Sequence, residues 1–324
     1  MSIKLQTFQN TEKACLTEES RLVRMKQFFS IFIFIFSSLS AETGYPGFDI
    51  FTSSLQLGLG GAGFLNSSPI SSKINPSIAD TGRYFSTSII RYQAGITSQS
   101  AGISMPWKKG YGIFSVRHIS YGTFDGYDDN FQSTGAYQSA DTWLQYGYSK
   151  QIKTIPLSIG TSAQFYNASL KDHQIKAIII SLGSAFYIQK FQATFGVSFH
   201  NIGKTFDGNN FAQGAIIPET VISGEKKLAH LPLALYLDTI FSKEKVEPEI
   251  FLGGEFYLKN GIGIRWGTST RKLDHNTQQD FLRSVIGASG FGFGINTGVT
   301  SINYGTFIFG TGSTIRGLQI GIRL

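Results

Sequence analysis

The strongest constraint on this chain is a two-residue rhythm. From about Phe85 onward, apolar and polar side chains alternate in one segment after another. In 157–165 (LSIGTSAQF), Leu157, Ile159, Ala163 and Phe165 take one face and Ser158, Gly160, Ser162 and Gln164 the other. In 191–200, Phe191, Ala193, Phe195, Val197 and Phe199 oppose Gln192, Thr194, Gly196, Ser198 and His200. In 231–238, Leu231, Leu233, Leu235 and Leu237 oppose Pro232, Ala234, Tyr236 and Asp238. In 250–258, Ile250, Leu252, Phe256 and Leu258 oppose Phe251, Gly253, Glu255 and Tyr257. Successive side chains on a strand point to opposite faces, so these are strands with one apolar and one polar face. Residues 85–324 hold about fourteen such strands of roughly ten residues each, with their turns. No sustained helical pattern interrupts them, which argues against βαβ units.

Composition narrows the choice between a sandwich and a barrel. Charged residues make up 15% of the chain, against roughly 25% in an ordinary globular protein. Aromatics reach 14%, glycine 37 residues, and the mean hydropathy is −0.01. A sandwich also alternates, but not over so many strands with so many aromatics near strand ends. Those features fit a transmembrane antiparallel β-barrel with its aromatic girdles. The last segment, 315–324 (IRGLQIGIRL), sets Leu318, Ile320, Ile322 and Leu324 on one face. Such a C-terminal strand is common in outer-membrane barrels.

The N-terminus reads as an export signal. Phe28–Phe36 (FFSIFIFIF) is the only continuous apolar run, too short for the roughly 20 residues that cross a bilayer as a helix. Arg21, Arg24 and Lys26 precede it and small residues up to Ala41 follow it, the layout of a cleaved signal peptide. Met25 offers a start that leaves this signal complete. Residues 1–41 are therefore expected to be leader, taking the single cysteine, Cys15, with them. The remainder carries 23 basic and 18 acidic residues, a charge of +5, with no Lys/Arg stripe of the kind that binds nucleic acid. Outer-membrane lipid and lipopolysaccharide are the expected surroundings. Residues 42–84, rich in Gly, Ser, Asn and Pro and without alternation, are expected to form a plug-like segment ahead of the barrel at 85–324.

Candidate chemistry is sparse. Gly58, Gly60 and Gly63 with Asp80 formally match a dinucleotide fingerprint. No helix pattern follows, and Pro69 and Pro76 break the segment, so tight turning of the plug explains the glycines better. The acidic stretch Asp125–Asn130 lacks the spacing of a calcium loop. His118, His173, His200, His230 and His275 show no metal-ligand spacing. No nucleophile elbow is present. The chain is read as a non-enzyme with no cofactor.

A family resemblance runs along the chain. Leu59-Gly60-Gly61-Ala62 followed by Ile74-Asn75-Pro76-Ser77 resembles the "LGGA … NPA" opening of the PorV/PorQ family of FadL-like outer-membrane barrels. Tyr121-Gly122-Thr123-Phe124, then Gly135-Ala136-Tyr137 and Ser139-Ala140-Asp141, is similar to the family's "YG.F … G.F.A.D" stretch. Asn201-Ile202-Gly203 resembles its "NlG" turn, and Leu228 to Leu233, with His230 and Pro232, its "L.H.P" strand. Ser77 and Tyr137 stand where Ala and Phe are usual in the family. The resemblance implies a FadL-like barrel in the cell outer membrane serving type IX protein secretion. There it would anchor a PorZ-like surface protein beside PorU and PorV, where cargo is attached to lipopolysaccharide. The alternative is a FadL-like transporter of hydrophobic compounds, with the N-terminal segment as a hatch.

Overall fold

In the computed structural model, the described residues are 51–79, 82–128, 130–152, 154–170, 173–206, 216–243, 247–274, 287–309 and 313–324. The expected leader, Cys15, Met25, Asp80, Asp129 and His275 lie outside them. Fourteen antiparallel strands close into one barrel. They run β1 Tyr84–Arg91, β2 Thr97–Trp107, β3 Gly110–Tyr127, β4 Ser133–Ile152, β5 Leu157–Leu170, β6 His173–Ile188 and β7 Ala193–Phe206. They continue as β8 Glu219–Lys227, β9 Leu233–Ser242, β10 Glu249–Tyr257, β11 Ile262–Ser269, β12 Ser289–Asn296, β13 Thr300–Ile308 and β14 Thr314–Arg323. Each strand pairs with its sequence neighbours, and β1 closes on β14 from Tyr84↔Arg323 to Arg91↔Arg316.

The alternation decides which face goes where, in the reverse sense of a soluble protein. Ile159, Phe165, Phe195, Val197, Leu237, Ile250, Leu252, Leu318 and Ile320 are exposed on the outside. Ser162, Gln164, Ser198, Asp238, Glu255 and Gln319 are buried within the ring. Such an apolar outer band is stable only in lipid, where closure also leaves no backbone group unpaired.

The two longest connections, 207–218 and 270–288, lie at the same end of the barrel, although that end also holds the two-residue 171–172. The other end has short turns, among them 108–109, 189–192 and 297–299. Three expectations shift in detail. The segment at 191–200 begins as a strand only at Ala193, because Gln189–Phe191 form a 3-10 turn and Gln192 adopts φ 48°. The motif with His230 and Pro232 is the β8–β9 turn at the short-turn end rather than a strand. Proline has no N–H to give a ladder, and β9 starts one residue later. Asn201, expected in a turn, sits inside β7 at φ 58°, where a register shift opposes Ile180/Leu182.

Several strands exceed the expected ten residues. β3 has 18 and β4 has 20. Beyond Ser120, β3 pairs only with β4, and ahead of Ser139, β4 pairs only with β3. Residues 121–138 thus form a two-stranded hairpin running past its neighbours at the long-loop end.

Candidate functional site

The lumen is filled by residues 51–79. Ser53 caps the short helix α1, Ser54–Gly58, by accepting from the Gln56 N–H. The chain then turns through Gly60, Gly61 and Gly63 at φ 65°, 100° and 94°. Only glycine adopts these angles freely, so two glycines of the formal dinucleotide match, Gly60 and Gly63, serve turns, while Gly58 ends α1.

The wall is shaped to receive this backbone. A Cβ on Gly267 of β11 would fall on the Leu59 carbonyl and the Gly60 nitrogen. One on Gly290 of β12 would meet the Leu57 carbonyl, and one on Gly305 of β13 the Ser54 carbonyl. On the far side, Gly160 and Gly183 of β5 and β6 face Pro76 and Asn75 in the same way. Many other lumen positions are serine, including Ser86, Ser104, Ser162, Ser181 and Ser198. Small side chains leave room for a plug in main-chain contact with the wall.

Side chains then pin the plug around the ring. Ser54 Oγ donates to the Asn303 carbonyl (3.0 Å), and Ser68 Oγ meets Ser86 Oγ (3.0 Å). Gln145 Nε2 donates to Ser72 Oγ (3.1 Å), and Ser149 Oγ to the Ser77 carbonyl (2.6 Å). Asn75 Nδ2 donates to the Ser184 carbonyl (3.2 Å). Its Oδ1 accepts from the Ser77 N–H (3.1 Å) and hydroxyl (2.7 Å), folding the chain around Pro76. The Asp238 carboxylate, 1% exposed, accepts from the Gly63 (2.7 Å) and Phe64 (3.4 Å) N–H groups. Leu59, Ala62 and Phe64 pack against Val221, Ala234, Tyr236 and Phe251, and Leu57 against Ile90, Phe307 and Ile315. Two of the hydrophobic clusters thus lie between plug and wall, while a third, of Ile119, Trp143, Tyr166, Ala168, Ala177, Ile179 and Ile216, contains no plug residue.

The plug divides the interior. Toward the short turns lies a cavity of about 770 Å³ lined by Glu225, Tyr236, Glu255, Tyr257 and Arg265 among others. There Arg265 Nη2 and Glu255 Oε1 form a buried ion pair at 2.6 Å. Toward the long loops lies a pocket of about 60 Å³ lined by Phe51, Phe64, Ile74, Ile240 and Phe251. Its polar rim holds Lys73, His200, Glu219 and Arg271. Arg271 grips Glu249 through Nε (3.1 Å) and Nη2 (3.0 Å), with its guanidinium 5.4 Å from the Phe251 ring centre. His200 Nε2 lies 3.3 Å from Glu219 Oε2. Beyond the end of β1, burial pushes the Tyr92 phenol well above its ordinary pKa.

The motif residues fall into three places. Gly60, Gly61, Asn75 and Pro76 lie in the plug. Tyr121, Gly122, Phe124 and Gly135 lie on the β3–β4 hairpin, with Asp141 at its base in the wall. Tyr121 donates to Asp141 Oδ2 (2.8 Å), and the Phe124 and Tyr137 rings stack with centroids 5.6 Å apart. Gly122 and Gly135 take φ 97° and 94° where the ladder bends. His230 and Pro232 stand apart at the opposite end. In the acidic loop, Asp128 Oδ1 accepts from the Asn130 and Gln132 N–H groups (2.9 and 2.8 Å), so it braces the loop. Asp238, Arg265, Phe251 and Arg271 carry no motif. Their only signal was their residue type on alternating strands or, for Arg271, just after one.

The fold defines a closed, plugged 14-strand barrel of the outer-membrane kind. No family model matches the chain, and no curated protein matches its sequence. Among solved structures it is similar to the toluene transporter TbuX of Ralstonia pickettii, with a TM-score of 0.54 and 10% identity over 87% of this chain and 98% of that one. It is also similar to a deltaS2 mutant of the TodX monoaromatic hydrocarbon channel, with a TM-score of 0.50 and 11% identity over 83% and 96%. At these identities the likeness is one of fold: the barrel is FadL-like.

Proposed function

We propose that this chain is an outer-membrane carrier of hydrophobic compounds, a FadL-like transporter and not an enzyme. The observation that carries this reading is the apolar pocket of Phe51, Phe64, Ile74, Ile240 and Phe251, set on the plug at the long-loop end. Barrels of this kind keep short turns in the periplasm and longer loops outside, which gives the pocket the outward side. The two barrels it resembles in fold are a toluene transporter and a monoaromatic hydrocarbon channel. At about 60 Å³ the pocket is smaller than the roughly 150 Å³ cavity that holds benzene, so a slender aliphatic chain end fits it better than a ring.

A second reading keeps the PorV/PorQ resemblance and makes the barrel an anchor in type IX secretion. What favours it is the hairpin at 121–138, which carries the motif residues Tyr121, Gly122, Phe124 and Gly135. Tyr127 (60% exposed) and Phe131 (87%) stand near its tip, an apolar platform for a PorZ-like surface protein beside PorU and PorV. One experiment separates the two. The gene is deleted in the native host, then hydrocarbon uptake and surface-attached cargo are measured together. Impaired uptake with normal cargo supports the carrier. Normal uptake with cargo in the periplasm or medium, and a lost surface partner, refutes the carrier and supports the anchor.

A further inference from the structure

The seam where the ring closes carries charge that none of its own strands balances. Arg91 at the end of β1 lies directly opposite Arg316 of β14. Both are exposed on the outer face, which they share with Ile89 and Leu318. Like charges directly opposite each other weaken a strand pair. An acid alongside would offset this, yet β1, β2, β13 and β14 contain no Asp or Glu. Neither do the connections at this end, 92–96 and 309–313. The strands and connections of the seam therefore leave this pair open to an anion from the surroundings.

What lies toward the other end of the seam says what kind of anion. Next to the arginines on the outer face comes the Ile89↔Leu318 pair, then Ile320 beside Ile302. All four are exposed, Ile302 at 47% and Leu318 at 42%. The arginines therefore sit at the long-loop edge of the apolar band, with an apolar column running from them along the strands. That is the layout of a charged headgroup joined to an acyl chain, and basic side chains at this level attract anionic lipid.

We propose that the Arg91–Arg316 pair is a binding site for the phosphate headgroup of an anionic membrane lipid, whose chain lies along Ile89, Leu318 and Ile320. The inference rests on reading the barrel as membrane-spanning. Arginine suits phosphate because its planar donors can engage several phosphate oxygens.

The test uses the purified full-length barrel in neutral detergent. Native mass spectrometry measures retention of dioleoylphosphatidylglycerol, with dioleoylphosphatidylcholine and inorganic phosphate as comparison probes. Phosphatidylglycerol is expected to bind best, and Arg91→Gln/Arg316→Gln to weaken it by roughly tenfold, the size of a lost charged hydrogen bond. Lys150→Gln, which removes an exposed outer-face cation at the opposite end, should leave retention unchanged. A second readout separates a binding role from a structural one. In neutral detergent the double variant should melt at or above the parent, since repulsion is relieved, while phosphatidylglycerol should raise only the parent's melting temperature. Equal lipid retention by parent and double variant, or a lower melting temperature of that variant without lipid, overturns the site. Free phosphate binding as tightly as the lipid overturns its assignment to lipid. Failure of the barrel to insert into liposomes overturns the membrane reading itself, a different result from insertion with indifferent lipid binding.

Discussion

Three glycines on β8, β10 and β11 should respond very differently to one methyl group, and the differences follow from where the plug lies. On β8, a Cβ at the outward Gly224 meets nothing nearer than 3.7 Å. Alanine there restricts the unfolded chain and should stabilise by about 0.4–1 kcal/mol. On β10, a Cβ at Gly253 would stand 3.1 Å from the Leu59 carbonyl and 3.2 Å from Ala62 Cβ. That contact is tight and should roughly cancel the gain. Gly267, directly opposite Gly253, would drive its Cβ onto the Leu59 carbonyl and Gly60 nitrogen. Those are main-chain atoms held by Gly60's own turn, so they cannot swing aside as a side chain would. Overpacking of this kind costs about 1–3 kcal/mol. For a chain of this size that lowers the melting temperature by roughly 1.5–5 °C. The assay is heat-modifiable gel mobility of the refolded barrel, with limited proteolysis of residues 51–79 alongside. The expected order is Gly224→Ala at or above parent, Gly253→Ala near parent, and Gly267→Ala clearly below. Gly267→Ala with parental melting and parental plug protection would refute the claim that wall and plug share one packed core. Parental melting with a freely cleaved plug would show instead that the plug leaves as a unit.

Other outcomes follow from single contacts. Asp238→Leu strands the buried Gly63 and Phe64 N–H groups. It should cost about 1–3 kcal/mol for each donor left unpaired, read as faster proteolysis near Gly63. Arg265→Gln leaves Glu255 buried without its cation and should destabilise by about 3–5 kcal/mol, whereas Arg265→Gln/Glu255→Gln together should recover most of that loss in urea unfolding. Tyr121→Phe removes the bond to Asp141 at about 1 kcal/mol. It should loosen the hairpin in hydrogen exchange and leave the rest of the barrel as it was.

The sequence displays the barrel clearly because its period is a local property. Leu237 and Asp238 are adjacent, and their contrast alone sends one to lipid and the other inward. The plug was legible in outline only, since Gly60 and Gly63 announce turns but not what they turn against. Its seat was hidden, because Gly267, Gly290 and Gly305 belong to three strands and meet the Ser54–Gly60 backbone only through register. Ile89-Ile90 shows where alternation fails. Ile89 faces lipid, while Ile90 faces the plug core with Leu57 and Phe307. The long hairpin has no local mark for a related reason, as β3 keeps its extended conformation past the point where β2 stops pairing with it.

The β1–β14 pairing joins the first strand to the last, from Tyr84↔Arg323 to Arg91↔Arg316. Residues 51–79 precede β1 in the chain and are held inside the finished ring. The ring cannot shut until the final ten-residue strand has arrived, whereas the plug's serines and glycines would be available from the start. The plug is placed to template an open sheet before closure: α1 touches β11, β12, β13 and β14 as well as β1. It bridges both edges of the gap and can draw them together. Contacts so distant in sequence fold slowly, and a preorganised inner mould shortens the search. A chain lacking residues 51–79 should accumulate as an unclosed sheet on its way to the membrane.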